Sequence, residues 1–131
     1  MSNYSEVAQI VFDKLLTDTT LPTAYFQNVD YKLPSSDFLS VTLTQADASN
    51  EFLGTRQQNT YLLQVNICVL RGKGLIKATD IGQKIINLFS QNTKISASPL
   101  VTVDRQPYYS AGFYDEKWYI LPLKITVNSI V

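Results

Sequence analysis

Apolar and polar positions alternate along this chain in two different rhythms. Near the start, Val7, Ile10, Val11, Phe12 and Leu15 recur at intervals of three and four, the stripe of an amphipathic helix. Asn3 and Glu6 have the spacing of a capping box, with Asn3 as the cap. The spacing predicts a first helix over roughly residues 4–17, broken by the Thr, Asp and Pro residues of "TDTTLPTAY". From Phe38 the rhythm changes to a period of two. In "FLSVTLTQA", Leu39, Val41 and Leu43 face one way and Ser40, Thr42 and Thr44 the other, which reads as a half-buried strand. In "TYLLQVNICVL", Tyr61, Leu63, Val65, Ile67 and Val69 share one face, opposite Gln64, Asn66 and Cys68. The polar stretch between these strands, Ala46–Asn59, reads as a long hairpin loop, and the two strands as an antiparallel pair.

"RGKG" is a turn, and helical periodicity returns in "LIKATDIGQKIINLF", with Ala78, Ile81, Gly82, Ile85, Leu88 and Phe89 on one face. Gly82 in mid-helix costs about 1 kcal/mol relative to alanine, a cost that a close contact with the sheet would justify. "LVTVD" at 100–104 predicts a short strand, "RQPYYSAGFYDEK" an aromatic, turn-rich connection, and 118–128 the last strand. That last strand, "WYILPLKITV", carries a proline in its middle. Pro122 lacks the N–H that a ladder needs, and with Lys124 it predicts an outer strand whose edge is protected against unwanted pairing. The expected fold is α+β: a mostly antiparallel sheet of four to five strands with two helices packed on one face, all in a single domain over residues 1–131.

Composition narrows the function more than it suggests one. Charged residues are 17% of the 131 positions, against about 25% on average. Ser, Thr, Asn and Gln fill the gap, a surface suited to burial against other protein copies. The formal net charge is zero, with no block of like charge, which argues against DNA or membrane binding through a basic face. "MSNYSEV" lacks the features of a signal peptide. No apolar run reaches the ~20 residues that span a bilayer. The expectation is a soluble protein made in a cytoplasm.

Catalytic chemistry is thin. There is no histidine, so the usual general base, zinc site and Ser-His-Asp arrangement are missing. Cys68, the single cysteine, is a poor nucleophile without histidine and reads as a small buried or interface residue. Asp115 and Glu116 are adjacent, so in extended chain they point apart; a solvated turn suits them better than a shared acid/base site. "GKG" at 72–74 lacks the spacing and the Ser or Thr of a phosphate-binding loop and reads as a strand-to-helix turn. Tyr108, Tyr109, Phe113, Tyr114, Trp118 and Tyr119 could stack bases, but only Arg105 and Lys117 lie near in sequence. Core packing or a protein interface fits them better. No enzyme activity, cofactor or metal is expected.

The order of several features carries a family resemblance. "LPTAYFQNVDYKLP" is followed by the strand "FLSVTL", a "LG" in the next loop, the strand–turn–helix "YLLQVNICVLRGKGLIKATDIGQKIINLF" and the closing "WYILPLKITV". Over residues 20–127 this resembles the tail terminator, or tail completion, proteins of long-tailed phages. The resemblance implies a structural virion protein with no turnover. It would form a homo-oligomeric ring, usually a hexamer, that caps the tail tube, ends its polymerisation and presents a surface to the head–neck connector proteins. DNA would pass through the lumen without being read, and the protein would sit in the tail neck of a virion assembled in the bacterial cytoplasm. The candidate interface residues are Asp47, Asn50, Glu51, Arg56, Gln57 and Gln58 of the polar loop, Arg71 and Lys73 of the turn, and Pro122. Two other readings stay open: a head-closure or other neck protein, and a small-ligand-binding domain, for which the sequence supplies few titratable groups.

Overall fold

The computed structural model describes residues 4–27, 34–49, 58–72, 74–97 and 100–130. Its spine is one long strand at the end of the chain, β8 (Trp118–Ile130). Along one side β8 pairs antiparallel with β3 (Gln58–Leu70) through all of its residues, from Leu70↔Trp118 to Gln58↔Ile130. Along the other side three short strands lie end to end: β7 (Phe113–Asp115) against 118–120, β6 (Tyr108–Tyr109) against 123–124, and β5 (Leu100–Val103) against 127–130. Beyond β3 comes β2 (Phe38–Ser49), antiparallel, and then β1 (Thr23–Phe26), which runs parallel to β2. Beyond β5 comes β4 (Lys94–Ala97). The strands make one curled, mixed, eight-stranded sheet.

This corrects the expected architecture, a mostly antiparallel four- to five-stranded sheet with two helices packed on one face. The molecule is dominated by its sheet, which has twice the strands foreseen at the lower bound, one parallel pairing and a curl. The strands that went unforeseen have two to four residues each. A period of two is hard to read over so short a run, and of the short strands only β5, foreseen at 100–104, stood out. The hairpin between the long strands is also shorter than expected. Ala46–Ser49 continue β2, and Gln58 and Asn59 already belong to β3, with a register shift between Gln45 and Asp47.

The proline in β8 has a different explanation from the one its sequence suggested. β8 is a central strand, so Pro122 is not on an outer edge. The N–H and C=O of one strand residue point to the same side. Ser110 N donates to Pro122 O at 2.9 Å, so the missing N–H of Pro122 points towards Ser110 and away from β3. Pro122 thus sits at the joint between β7 and β6, where the flanking chain leaves the ladder. The β3 ladder loses nothing.

Helix α1 (Tyr4–Leu15) has Glu6 in its first turn and Lys14 in its last, each favourable to the helix dipole. It buries Val7, Val11 and Leu15, one residue per turn. Helix α2 (Gly74–Leu88) buries Ala78, Ile81, Ile85 and Ile86, followed by Phe89. These side chains join the inward positions of β2, β3 and β8, such as Val41, Val65 and Ile125, in one core. On the opposite face a smaller cluster of Phe38, Cys68 and Trp118 closes one end, with the Phe38 and Trp118 rings edge-to-face at 4.9 Å. The rest of that face is mixed, with Leu62, Pro122 and Ile130 among polar residues. Thr60 Oγ1 donates to Asn128 Oδ1 at 2.9 Å, and Gln64 Nε2 to Asn66 Oδ1 at 2.9 Å.

Candidate functional site

The apolar surface that the fold leaves uncovered gathers around the start of α2 and the edge formed by β6 and β7. Leu75 is 54% exposed, Ile76 76% and Tyr114 64%. Tyr108, Tyr109 and Phe113 are also exposed. Strand register decides which way these rings point. Tyr109 lies opposite Leu123 and Tyr114 opposite Tyr119, on the helix side of the sheet. Tyr108 lies opposite Lys124 and Phe113 opposite Ile120, on the polar side. The short edge therefore shows aromatic rings to both sides. Exposed apolar groups gathered in this way mark a contact surface more often than isolated ones do.

Local contacts hold the rings in place. Arg71 anchors the turn after β3: its backbone N donates to Lys117 O at 2.8 Å and its Nη1 to Glu116 O at 3.0 Å. Its guanidinium carbon then stands 4.7 Å from the centroid of Tyr114, whose ring tilts against Tyr119 at 5.2 Å. Gly72, with a left-handed φ of 88°, lets the chain turn sharply from β3 towards α2. Gly72, Leu75, Tyr114 and Tyr119 line a shallow hollow of about 120 Å³. Gly82 is explained here as well. A Cβ at this position would lie 2.8 Å from Cε1 and 3.0 Å from Cζ of Tyr109, so glycine lets the ring rest on the helix. The close contact expected for Gly82 exists, and it is with a side chain of the short edge. Burial pushes the Tyr109 phenol above its ordinary value.

A second apolar feature is concave. The end of α1, the following turn and β1 enclose a groove of about 280 Å³, lined by Leu15, Leu16, Leu21, Pro22, Ala24 and Leu39 among others. Leu16 is 53% exposed at its side. At the rim, Thr20 donates both its backbone N (2.9 Å) and its hydroxyl (2.6 Å) to Oδ1 of Asp18. The two bonds from Thr20 hold the Asp18 carboxyl below its ordinary value.

The residues proposed from sequence do not converge on either feature as a group. Asp47 lies on β2 opposite Thr60, and Gln58 opens β3 opposite Ser49. Pro122 is buried within the sheet. Arg71 alone belongs to the aromatic surface. Asn50, Glu51, Arg56, Gln57 and Lys73 lie outside the described residues. Leu75, Ile76, Tyr108, Tyr109, Phe113 and Tyr114 were absent from that set. The aromatic run was visible in the sequence as core or interface, but only the register of β6 and β7 divides it. Trp118 goes inside, Tyr119 half inside, and the other four outside.

Nothing in the described residues resembles a reactive centre. No group of His, Cys, Asp and Glu that could hold a metal occurs among them. Burial first, and the charge of Asp115 second, push the Cys68 thiol up to about 12, which keeps it protonated and unreactive.

Comparison with known proteins is consistent with a contact-making role. The family described as "Phage tail terminator protein" matches residues 6–127. One solved structure superposes with a TM-score of 0.75 at 20% sequence identity, covering 98% of this chain and 96% of that one. At that identity the likeness concerns the fold alone. The curated proteins contain no match.

Proposed function

The chain belongs to the phage tail terminator protein family, and from that premise we propose that it caps the tail tube as a ring of identical copies. A structural protein of the phage tail works through its surfaces. The observation that carries this reading is the exposed surface of Leu75, Ile76, Tyr108, Phe113 and Tyr114 on a member of that family. Aromatic residues are enriched at protein interfaces and charged ones depleted at their centres. In the proposed ring, usually a hexamer in proteins of this kind, one side meets the last tube layer and stops polymerisation. The other side receives the head-side connector, and DNA runs through the lumen unread. The protein would be made and assembled in the host cytoplasm and end in the tail neck. The end of β2 with Asp47, the start of β3 with Gln58, and Asn50, Glu51, Arg56 and Gln57 between them would touch the tube, a neighbour or the lumen.

Mass measurement of the purified chain, free and with tail tubes, followed by imaging of the tubes, tests the reading. Rings seated on tube ends are expected. A chain that stays a single copy and ignores tube ends would overturn it. Binding to DNA-filled heads with no affinity for tubes would move the protein to head closure. Shortening the β2–β3 connection should impair capping or ring formation, scored separately; loss of neither would remove that segment from the proposal.

A further inference from the structure

A ring needs two unlike patches, since each copy meets its neighbour head to tail. The described surface offers two unlike apolar features, one aromatic and largely exposed around Tyr114 and Leu75, the other a concave aliphatic groove. We propose that the Tyr114–Leu75 surface of one copy seats in the α1–β1 groove of the next, so that these two features form the ring contact. This rests on the reading of the chain as a ring subunit and adds to it the identity of the two patches.

Size and charge both support the match. A dry apolar cavity of about 150 Å³ takes one benzene ring. The groove, at about 280 Å³, has room for the ring of Tyr114 and part of a second side chain. Its walls are the aliphatic side chains of Leu15, Leu16, Leu21 and Pro22, with no charged group except Asp18 at the rim. Tyr114 does not arrive alone, because the Arg71 guanidinium rides 4.7 Å from its centroid. Seating the ring brings that cation to the Asp18 rim, where the Thr20 bonds keep the carboxylate in place. Lys84, whose Nζ is 3.2 Å from the Thr20 hydroxyl, lies outside the groove lining. The groove thus presents one carboxylate, and the aromatic surface brings one cation to it. An isologous contact, patch to the same patch, would set Arg71 against Arg71 and leave the groove empty.

The test uses the whole chain with one reporter cysteine at an exposed position of each patch. Thr19→Cys marks the groove and Ile76→Cys the aromatic surface; native Cys68 is buried and its thiol stays protonated. The two variants are mixed, treated with a short bis-maleimide and separated by denaturing electrophoresis. A cross-linked pair is expected from the mixture and from neither variant alone, with a ladder of species when both substitutions share one chain. A second arm reverses the charges. Arg71→Asp should lower the assembled fraction at least tenfold, and adding Asp18→Arg to the same chain should restore most of it. If wild-type chains assemble but the mixture gives no cross-link, or either variant cross-links with itself, these patches are not the ring contact although the ring reading stands. Arg71→Asp that assembles normally, or is not rescued, also overturns the assignment. If wild-type chains never assemble, with or without tubes, both readings fall together.

Discussion

The core and the β6–β7 edge are built from the same kinds of side chain and do opposite work. Phe89, Ile125 and Val65 are fully buried between the helices and the sheet. Phe113, Tyr114 and Leu75 are equally apolar, equally fixed by strand register or helix position, and about half or more exposed. The difference teaches that hydrophobic pattern alone does not divide folding from assembly. A residue inside the closed core contributes to stability before any partner arrives. A residue at the short edge contributes only once another surface covers it. Substitutions should therefore fall into two classes, those that change stability and those that change assembly.

The largest effect on stability belongs to the core. Phe89→Ala removes a fully buried ring just after α2 and leaves a cavity in the main core. Such truncations cost about 3–5 kcal/mol. Denaturant unfolding should show a lower midpoint at unchanged slope. A loss under about 1 kcal/mol would mean that the α2 end of the core is loosely packed, and the contrast with the edge would fail.

Gly82 lies where the two regions meet, which makes it a sharper test. Gly82→Ala should gain about 1 kcal/mol of helix propensity. The new methyl must push the Tyr109 ring off the helix, and that ring is part exposed and free to swing outward. Alone, the substitution should come out within about 0.5 kcal/mol of neutral; in a Tyr109→Ala background it should stabilise by about 1 kcal/mol, a coupling within the usual range for touching residues. Equal effects in both backgrounds would mean the ring does not rest on Gly82.

Pro122 shows how much of the fold was legible, and why the rest was not. The alternations at Leu39–Leu43, Tyr61–Val69 and Tyr119–Val127 persist over several pairs, so a half-buried strand was readable from each. Both helices were readable from their stripes. Of the short strands only β5 was, because two to four residues carry little period and the other four pair with edges left by β2, β5 and β8. The edge rule for proline misled for a related reason: it concerns the direction of a missing N–H, which depends on register rather than on place in the sheet. The candidate site was half legible. The aromatic cluster stood out, but its division into buried Trp118 and exposed Tyr114 comes from a hairpin turn at Glu116 and Lys117 that places one ring on each face. Pro122→Val is the corresponding test. The valine N–H would point towards Ser110, a gain of about 1 kcal/mol at most, offset by the lost rigidity of proline. Stability should stay within about 1 kcal/mol and particle size unchanged. New aggregation would restore the idea of an exposed edge at this point.

Cys68 offers a smaller effect from the covered side of the comparison. Its thiol is pushed up to about 12 from an ordinary value of 9.0. The folded state therefore holds its proton more firmly than the unfolded one does. This contribution to stability is complete below pH 9.0 and is lost as pH rises towards 12. A thiol reagent at pH 8 should label the unfolded chain quickly and the native chain hardly at all. Fast native labelling would show that the Phe38–Trp118 cluster opens readily.

The smallest effect on stability should be the largest on assembly. Tyr114→Ser removes a ring that is 64% exposed and touches Arg71 and Tyr119. Surface substitutions of this kind stay within about 0.5 kcal/mol. If these two surface contacts are all that the ring makes in the isolated chain, the unfolding midpoint should hardly move. If a neighbour covers it in the assembled state, the same change should dissolve the assembly at concentrations where the wild-type chain holds together. Leu16→Ser, at the groove, should behave the same way, since 53% of its surface is likewise open. The two singles should not add when combined, because each already removes one half of the same contact. Additive losses would place the two residues in separate interfaces, and a shifted midpoint for either would return that residue to the core side of the comparison.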